Sequence, residues 1–108
     1  MKQSFLLHIN ASTNLAVSFE EIMFLSSIKA NHLGELCEEI YMMEIKLSNN
    51  DISYPEKTTA LVKMHAHQGE YIGYSNGWHW ESALNKAFES IRQQINILIN
   101  FRVQENTN

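Results

Sequence analysis

Three runs between residues 40 and 74, separated by turns or polar loops, alternate in their side chains, a pattern typical of strands that are covered on one side only. In the clearest run, 58–67, every second side chain is small or apolar, namely Ala60, Val62, Met64 and Ala66. The positions between them carry Leu61, Lys63, His65 and His67. Such a chain needs a sheet with one buried face, and other apolar elements must cover that face.

Three more strands complete the predicted sheet. A first strand is expected over 3–9, and a second over 40–47 with its apolar face formed by Tyr41, Met43, Ile45 and Leu47. A fourth, from Glu70 to Tyr74, follows a two-residue hairpin turn at Gln68-Gly69. The next turn is expected at Ser75-Asn76-Gly77.

Two amphipathic helices are predicted to cover the sheet. The first, 18–32, opens with the capping-box pair Ser18 and Glu21 and is weakened or ended at Gly34. The second, 79–100, carries an apolar stripe at intervals of three and four: Ala83, Leu84, Ala87, Phe88, Ile91, Ile95 and Leu98.

The element order is therefore β-α-β-β-β-α. It predicts an α+β two-layer sandwich, a four-stranded sheet with two helices on one face. Residues 1–102 are expected to form a single domain and residues 103–108 a flexible polar tail. The open face of the sheet should carry Glu44, Lys46, Lys63, His65 and His67.

Composition narrows the classes of function. Eight Lys and Arg against twelve Asp and Glu give a net charge of −4, so no broad basic field draws the protein to nucleic acid. The one cysteine, Cys37, cannot form an internal disulfide. No catalytic motif, phosphate loop, secretory signal or membrane span is recognised, so we expect a cytoplasmic protein that is not an enzyme and uses no cofactor.

Two clusters have both a functional and an ordinary interpretation. His65 and His67 share one strand face and could begin a metal site, although alternate histidines are common on a polar face, and we predict no metal. Trp78-His79-Trp80 is either a stacking platform or partner anchor, or an apolar plug where the helix begins.

The end of the second helix is apolar on almost every side. Ile97, Ile99 and Phe101 lie off the main stripe, beside Leu98, so one layer of core cannot bury them all. These three residues are predicted to form a protein interface, with a homodimer as its simplest form.

The chain resembles the family of ribosome hibernation-promoting factors and ribosome-associated inhibitors (protein Y). The resemblance rests on the element order and on joint spacing in 62–95: Gly69-Glu70, Gly77, Ala83-Leu84-Asn85, and Ile91 with Gln94-Ile95. It implies a non-enzymatic factor that binds the small ribosomal subunit where messenger and transfer RNA would sit, and silences translation under stress or in stationary phase.

The resemblance also implies that cations on the helices and the sheet bind ribosomal RNA. The residues of this sequence that could serve in that role, including two histidines, are Lys29, Lys46, Lys63, His65, His67, Lys86, Arg92 and Arg102. The sequence departs from the family in its first helix, where only Lys29 stands beside His32, and in a lysine-rich run that is replaced by residues 96–100. Two alternatives stay open: a homodimer module that has lost RNA binding, and a double-stranded-RNA-binding domain.

Overall fold

The computed structural model describes residues 5–12, 15, 17–37, 39–49, 53, 54 and 56–106, with side chains described as far as residue 98. Four strands and two helices follow in the order β1 (Leu6–Ala11), α1 (Phe19–Leu36), β2 (Ile40–Ser48), β3 (Thr58–Ala66), β4 (Gly69–Gly77) and α2 (Trp80–Asn106). The predicted β-α-β-β-β-α order and α+β class are confirmed.

The strands form one mixed sheet in the order β1-β2-β3-β4. β1 is parallel to β2, and the two further pairs are antiparallel. A parallel pair needs a crossover connection, which α1 supplies. Both helices pack on one face of the sheet, as predicted, and the core between the layers includes Ile22, Leu33, Met43, Ile45, Leu47, Val62, Met64, Leu84, Phe88 and Ile91.

Helix α1 begins after Ser18, whose side-chain oxygen accepts a hydrogen bond from the Glu21 N–H at 3.2 Å. The helix passes through Gly34 and ends at Leu36, beyond the predicted end at 32. A Cβ at position 34 would lie 2.9 Å from Cε1 of Phe5, a core residue. Gly34 therefore leaves room for the ring of Phe5 to pack against α1, and the helix continues through this glycine.

One prediction about β2 was wrong. Tyr41 does not share the apolar face with Met43 but is 51% exposed, while Ile40 is buried. The pairing of β2 with β3 shifts between Ile40 and Met42, and this irregularity changes the face on which Tyr41 lies. The alternation of side chains in the sequence cannot reveal such an irregularity in strand pairing.

The hairpin turn lies one residue earlier than predicted. Ala66 pairs with Gly69, so His67 and Gln68 form the turn, and Gly69 is the first residue of β4. The φ angle of Gly69 is 151°, a value that residues with a side chain rarely adopt.

The predicted turn at residues 75–77 was also wrong, because β4 continues to Gly77. A Cβ at Gly73 would overlap the carbonyl oxygen of Ala87, and one at Gly77 would lie 3.0 Å from the Ala83 nitrogen. These glycines allow α2 to lie close against β4. The pattern was misread because a glycine that serves close packing looks like a turn glycine in sequence.

Helix α2 is longer than predicted and ends at Asn106, six residues beyond residue 100. Its predicted stripe is buried from Ala83 to Ile95, and Leu98 is half-buried. Residues 107 and 108 lie outside the described residues, and the flexibility of the tail stays a prediction.

Candidate nucleic-acid interface

The predicted RNA-binding residues lie on two surfaces, one in each layer of the sandwich. Lys46, Lys63 and His65 project from the open face of the sheet, and His67 lies in the β3–β4 turn. On the other layer, Lys29 belongs to α1, and Lys86 and Arg92 belong to α2. The side chain of Arg102 lies outside the described part of the chain. The structure thus places the predicted residues that it describes on two separate surfaces.

On the open face, the side chain of His65 is paired with a carboxylate. Its Nε2 lies 2.7 Å from Oε2 of Glu44 on the neighbouring strand. The hydrogen bond from His65 lowers the pKa of Glu44 below its ordinary value of 4.5, and the positive charges of His65, Lys63 and His8 add to the effect. Because His65 is paired with a carboxylate, Lys46 and Lys63 are the predicted cations on this face that remain as candidates for phosphate contact.

Tyr41 packs over the two histidines on the same face. Its ring centroid lies 6.2 Å from that of His65 and 5.5 Å from that of His67. Among the described residues, no group of three His, Cys, Asp or Glu side chains could hold a metal ion.

On the other layer, the two helices enclose a groove of about 330 Å³. It contains the predicted Lys29 and Arg92, and its lining is Lys29, His32, Leu33, Leu36, Asn85, Phe88, Glu89 and Arg92. Arg92 donates to Oε1 of Glu89 at 2.9 Å, an exposed pair within one turn of α2. An exposed pair of this kind is weak, so the guanidinium can exchange its partner for a phosphate at little cost. Lys86 is exposed six residues before Arg92 on α2.

A second groove lies at the opposite end of the helix pair and is acidic. Its lining is Ser18, Glu20, Glu21, Phe24, Leu25, Trp80 and Glu81, so the N-termini of both helices lie at this end. Carboxylates at helix N-termini are stabilised by the unpaired N–H groups there. Three of the twelve acidic residues of the chain, namely Glu20, Glu21 and Glu81, therefore lie together at a distance from Lys29 and Arg92.

The two tryptophans flanking His79 have different environments. Trp80 is half-buried and packs against the core, as the plug interpretation predicts. Trp78 is 64% exposed; the ring of Tyr54 lies edge-on to it with centroids 5.4 Å apart, and Lys57 Nζ lies 5.4 Å from its ring centroid. Tyr54 and Lys57 were not among the predicted site residues, because the predicted turn at Gln68-Gly69 would pair Lys57 with Trp80, whereas the register of the structure brings it opposite Trp78.

The predicted protein interface is described only at its first residue. Ile97 is 69% exposed on α2, whereas the side chains of Ile99 and Phe101 lie outside the described residues. In the described part of the chain, neither helix contains a stretch long and apolar enough to cross a membrane.

No protein-family model matches the chain, and no curated protein matches it in sequence. Several solved structures are similar to it, including the following two. One is the N-terminal domain of Protein Y from Thermus thermophilus, with a TM-score of 0.68 and 14% identity over 87% of this chain and 99% of that one. The other is a ribosomal subunit interface protein from Coxiella burnetii, with a TM-score of 0.65 and 9% identity over 89% of this chain and 99% of that one. At these identities the likeness establishes that the chain has the fold of these two proteins.

Proposed function

We propose that this protein is a non-enzymatic ribosome-associated factor that binds the small ribosomal subunit and silences translation under stress or in stationary phase. The observation that carries the proposal is the likeness of fold, which extends over 99% of the Protein Y domain. The Coxiella burnetii structure of the same fold is described as a ribosomal subunit interface protein. The family resemblance in residues 62–95 points to the same partner.

The distribution of charge supports RNA as the partner despite the net charge of −4. Lys29 and Arg92 line one groove, while Glu20, Glu21 and Glu81 gather at the other end of the helices. Cations bind RNA by neutralising phosphates and releasing counterions, which is a local effect of each contact. A few well-placed contacts can therefore bind RNA although the whole chain is acidic.

Co-sedimentation with purified ribosomes across a salt series tests the proposal. At about 50 mM salt we expect the protein to pellet with ribosomes and with isolated small subunits, and by about 200 mM we expect most of it to be released. Added to a cell-free translation reaction, the same protein should lower the yield of product. Absence from the ribosome pellet at the lowest salt would contradict the proposal.

The homodimer module remains a second candidate, because Ile97 is an exposed aliphatic side chain at the end of the helix where the apolar interface is predicted. This candidate predicts a mass of two chains by light scattering at high protein concentration. The substitution Ile97→Glu should restore the monomer, because a charge in an apolar contact must be desolvated. A monomer at every concentration would contradict it.

A further inference from the structure

The open face of strands β3 and β4 carries a column of cross-strand pairs that the function above does not fully use. The register pairs His65 with Glu70, Lys63 with Ile72, Leu61 with Tyr74, and Thr59 with Asn76. The alternating burial of β3 and β4 places these side chains on the uncovered face. Opposite pairs lie about 5 Å apart, so the column is a continuous surface.

The column continues one pair beyond the strands. The last registered pair is Thr58 with Gly77, so the next step brings Lys57 opposite Trp78, and Lys57 Nζ does lie 5.4 Å from the indole centroid. This end is fixed by Asn49, whose side-chain amide donates to the carbonyl oxygens of Tyr54 at 2.9 Å and Lys57 at 2.8 Å. The residues around Trp78 are therefore held in place before any ligand binds.

Two exposed aromatic side chains lie along this column, and lysines lie on the same face. Tyr74 is 60% exposed and Trp78 is 64% exposed. They are four residues apart along the chain, which corresponds to about 13 Å in an extended strand. Lys46 lies in the same row as Leu61 and Tyr74, and Lys57 contacts Trp78. Lys63 lies in the row between the row of Leu61 and Tyr74 and the row of His65.

We propose that this surface, defined by Lys46, Lys57, Lys63, Tyr74 and Trp78, binds single-stranded RNA by stacking unpaired bases on the two aromatic rings. It rests on the proposed function, since it specifies which form of RNA this face takes. Exposed aromatic rings on an open sheet stack bases of single strands, and neighbouring lysines contact the phosphates. Bases in a duplex are stacked on one another and cannot reach the rings.

The charges favour RNA over other occupants of an aromatic surface. A cationic ligand, such as a methylated lysine, would be repelled by the ammonium of Lys57, which lies 5.4 Å from the indole centroid. An apolar protein face would have to desolvate three ammonium groups, which is costly. Of the carboxylates on this face, Glu44 is bonded to His65 and pairs in register with Lys63, and Glu70 lies at the end of the column remote from Trp78. Phosphates can therefore reach Lys46 and Lys57.

Fluorescence anisotropy with a labelled, unstructured RNA of about eight nucleotides tests the proposal on the full chain. We expect salt-sensitive binding that an RNA duplex of the same length competes for poorly. Trp78→Ala and Tyr74→Ala should each weaken binding about tenfold, whereas Trp78→Phe and Tyr74→Phe should retain most of it, because a ring remains for stacking. Phe24→Ala is the matched control, since Phe24 is 71% exposed on the helix layer and should not contribute.

The outcomes separate this proposal from the proposed function. If ribosomes pellet the protein but the oligonucleotide does not bind, or binds equally to Trp78→Ala and Tyr74→Ala, the stacking surface is wrong and the ribosome factor stands. If the oligonucleotide binds as expected but ribosomes do not pellet the protein, the ribosome factor is wrong and the stacking surface stands. Loss of self-association in the two alanine variants, without any loss of RNA binding, would identify a protein interface and overturn the proposal.

Discussion

At the scale of single residues, two glycines decide how closely the layers approach. Gly73 and Gly77 lie on the covered face of β4, where Ala87 and Ala83 of α2 contact the strand backbone. Because a Cβ at Gly73 would overlap a main-chain oxygen, a rotamer change cannot relieve the clash. The helix and the strand would have to separate.

We therefore expect Gly73→Ala to lower the free energy of unfolding by about 3 kcal/mol, at the upper end of the cost of overpacking a core. Urea unfolding followed by circular dichroism would measure the change. Ile72→Ala, on the open face of the same strand, is the control and should change stability by less than about 1 kcal/mol. Equal stability of Gly73→Ala and the wild type would mean that the strand and the helix are not in close contact.

The pair formed by His65 and Glu44 should give a pH dependence on the acid side. The pKa of Glu44 is lowered in the folded state by the hydrogen bond from His65, so the pair stabilises the fold above the ordinary pKa of 4.5. That contribution is lost as the pH falls through the lower, folded value. We expect wild-type stability to fall below about pH 4.5 more steeply than that of Glu44→Gln. An NMR titration of Glu44 that does not move upward in His65→Ala would contradict this assignment.

At the scale of elements, the boundaries follow backbone hydrogen bonds more closely than residue propensity. Helix α1 begins at its serine cap and ends where the Cys37 N–H donates to the Leu33 carbonyl at 3.1 Å, although Gly34 lies between them. Strand β4 continues through Ser75 and Asn76 because both pair with β3. In each case these contacts outweigh the conformational preference of the individual residue, which is worth less than about 1 kcal/mol.

The N-cap of α1 offers a direct test at this scale. Ser18→Ala should lower the free energy of unfolding by about 1 kcal/mol, because the Glu21 N–H loses its acceptor, whereas Ser18→Asp should retain stability. Thermal unfolding would measure both variants. The control is Ser27→Ala in the middle of the same helix, which should leave stability unchanged or raise it slightly. A loss at Ser27 as large as that at Ser18 would exclude capping as the cause.

At the scale of the whole molecule, the candidate cations face in two opposite directions. Lys29 and Arg92 line the groove between the helices, while Lys46 and Lys63 lie on the open face of the sheet. A factor that occupies a channel in the ribosome would meet RNA on both sides. One that lies on a single RNA surface would use only one layer.

For a protein within a channel, we expect the double variants Lys29→Gln/Arg92→Gln and Lys46→Gln/Lys63→Gln each to reduce the salt dependence of ribosome binding. Each lost phosphate contact lowers the slope of log K against log salt by about 0.7–0.9, so each pair should lower it by about 1.5. Co-sedimentation across a salt series would give the slopes. If only one pair changes its slope, the protein binds RNA through a single layer.

The element order, the covered face of β3 and the buried stripe of α2 could be predicted from the amino-acid sequence, because these depend on side-chain periodicity along one segment. Most of the candidate cations and the tryptophan pair were also predicted from it. The separation of these cations into two layers, the position of Tyr41 on the open face and the packing role of Gly73 and Gly77 are seen only in the folded chain. The column from His65 and Glu70 to Lys57 and Trp78 likewise depends on the register between β3 and β4. The physical reason is that register, irregular pairing and close approach are properties of two segments in contact, and neither segment alone specifies them.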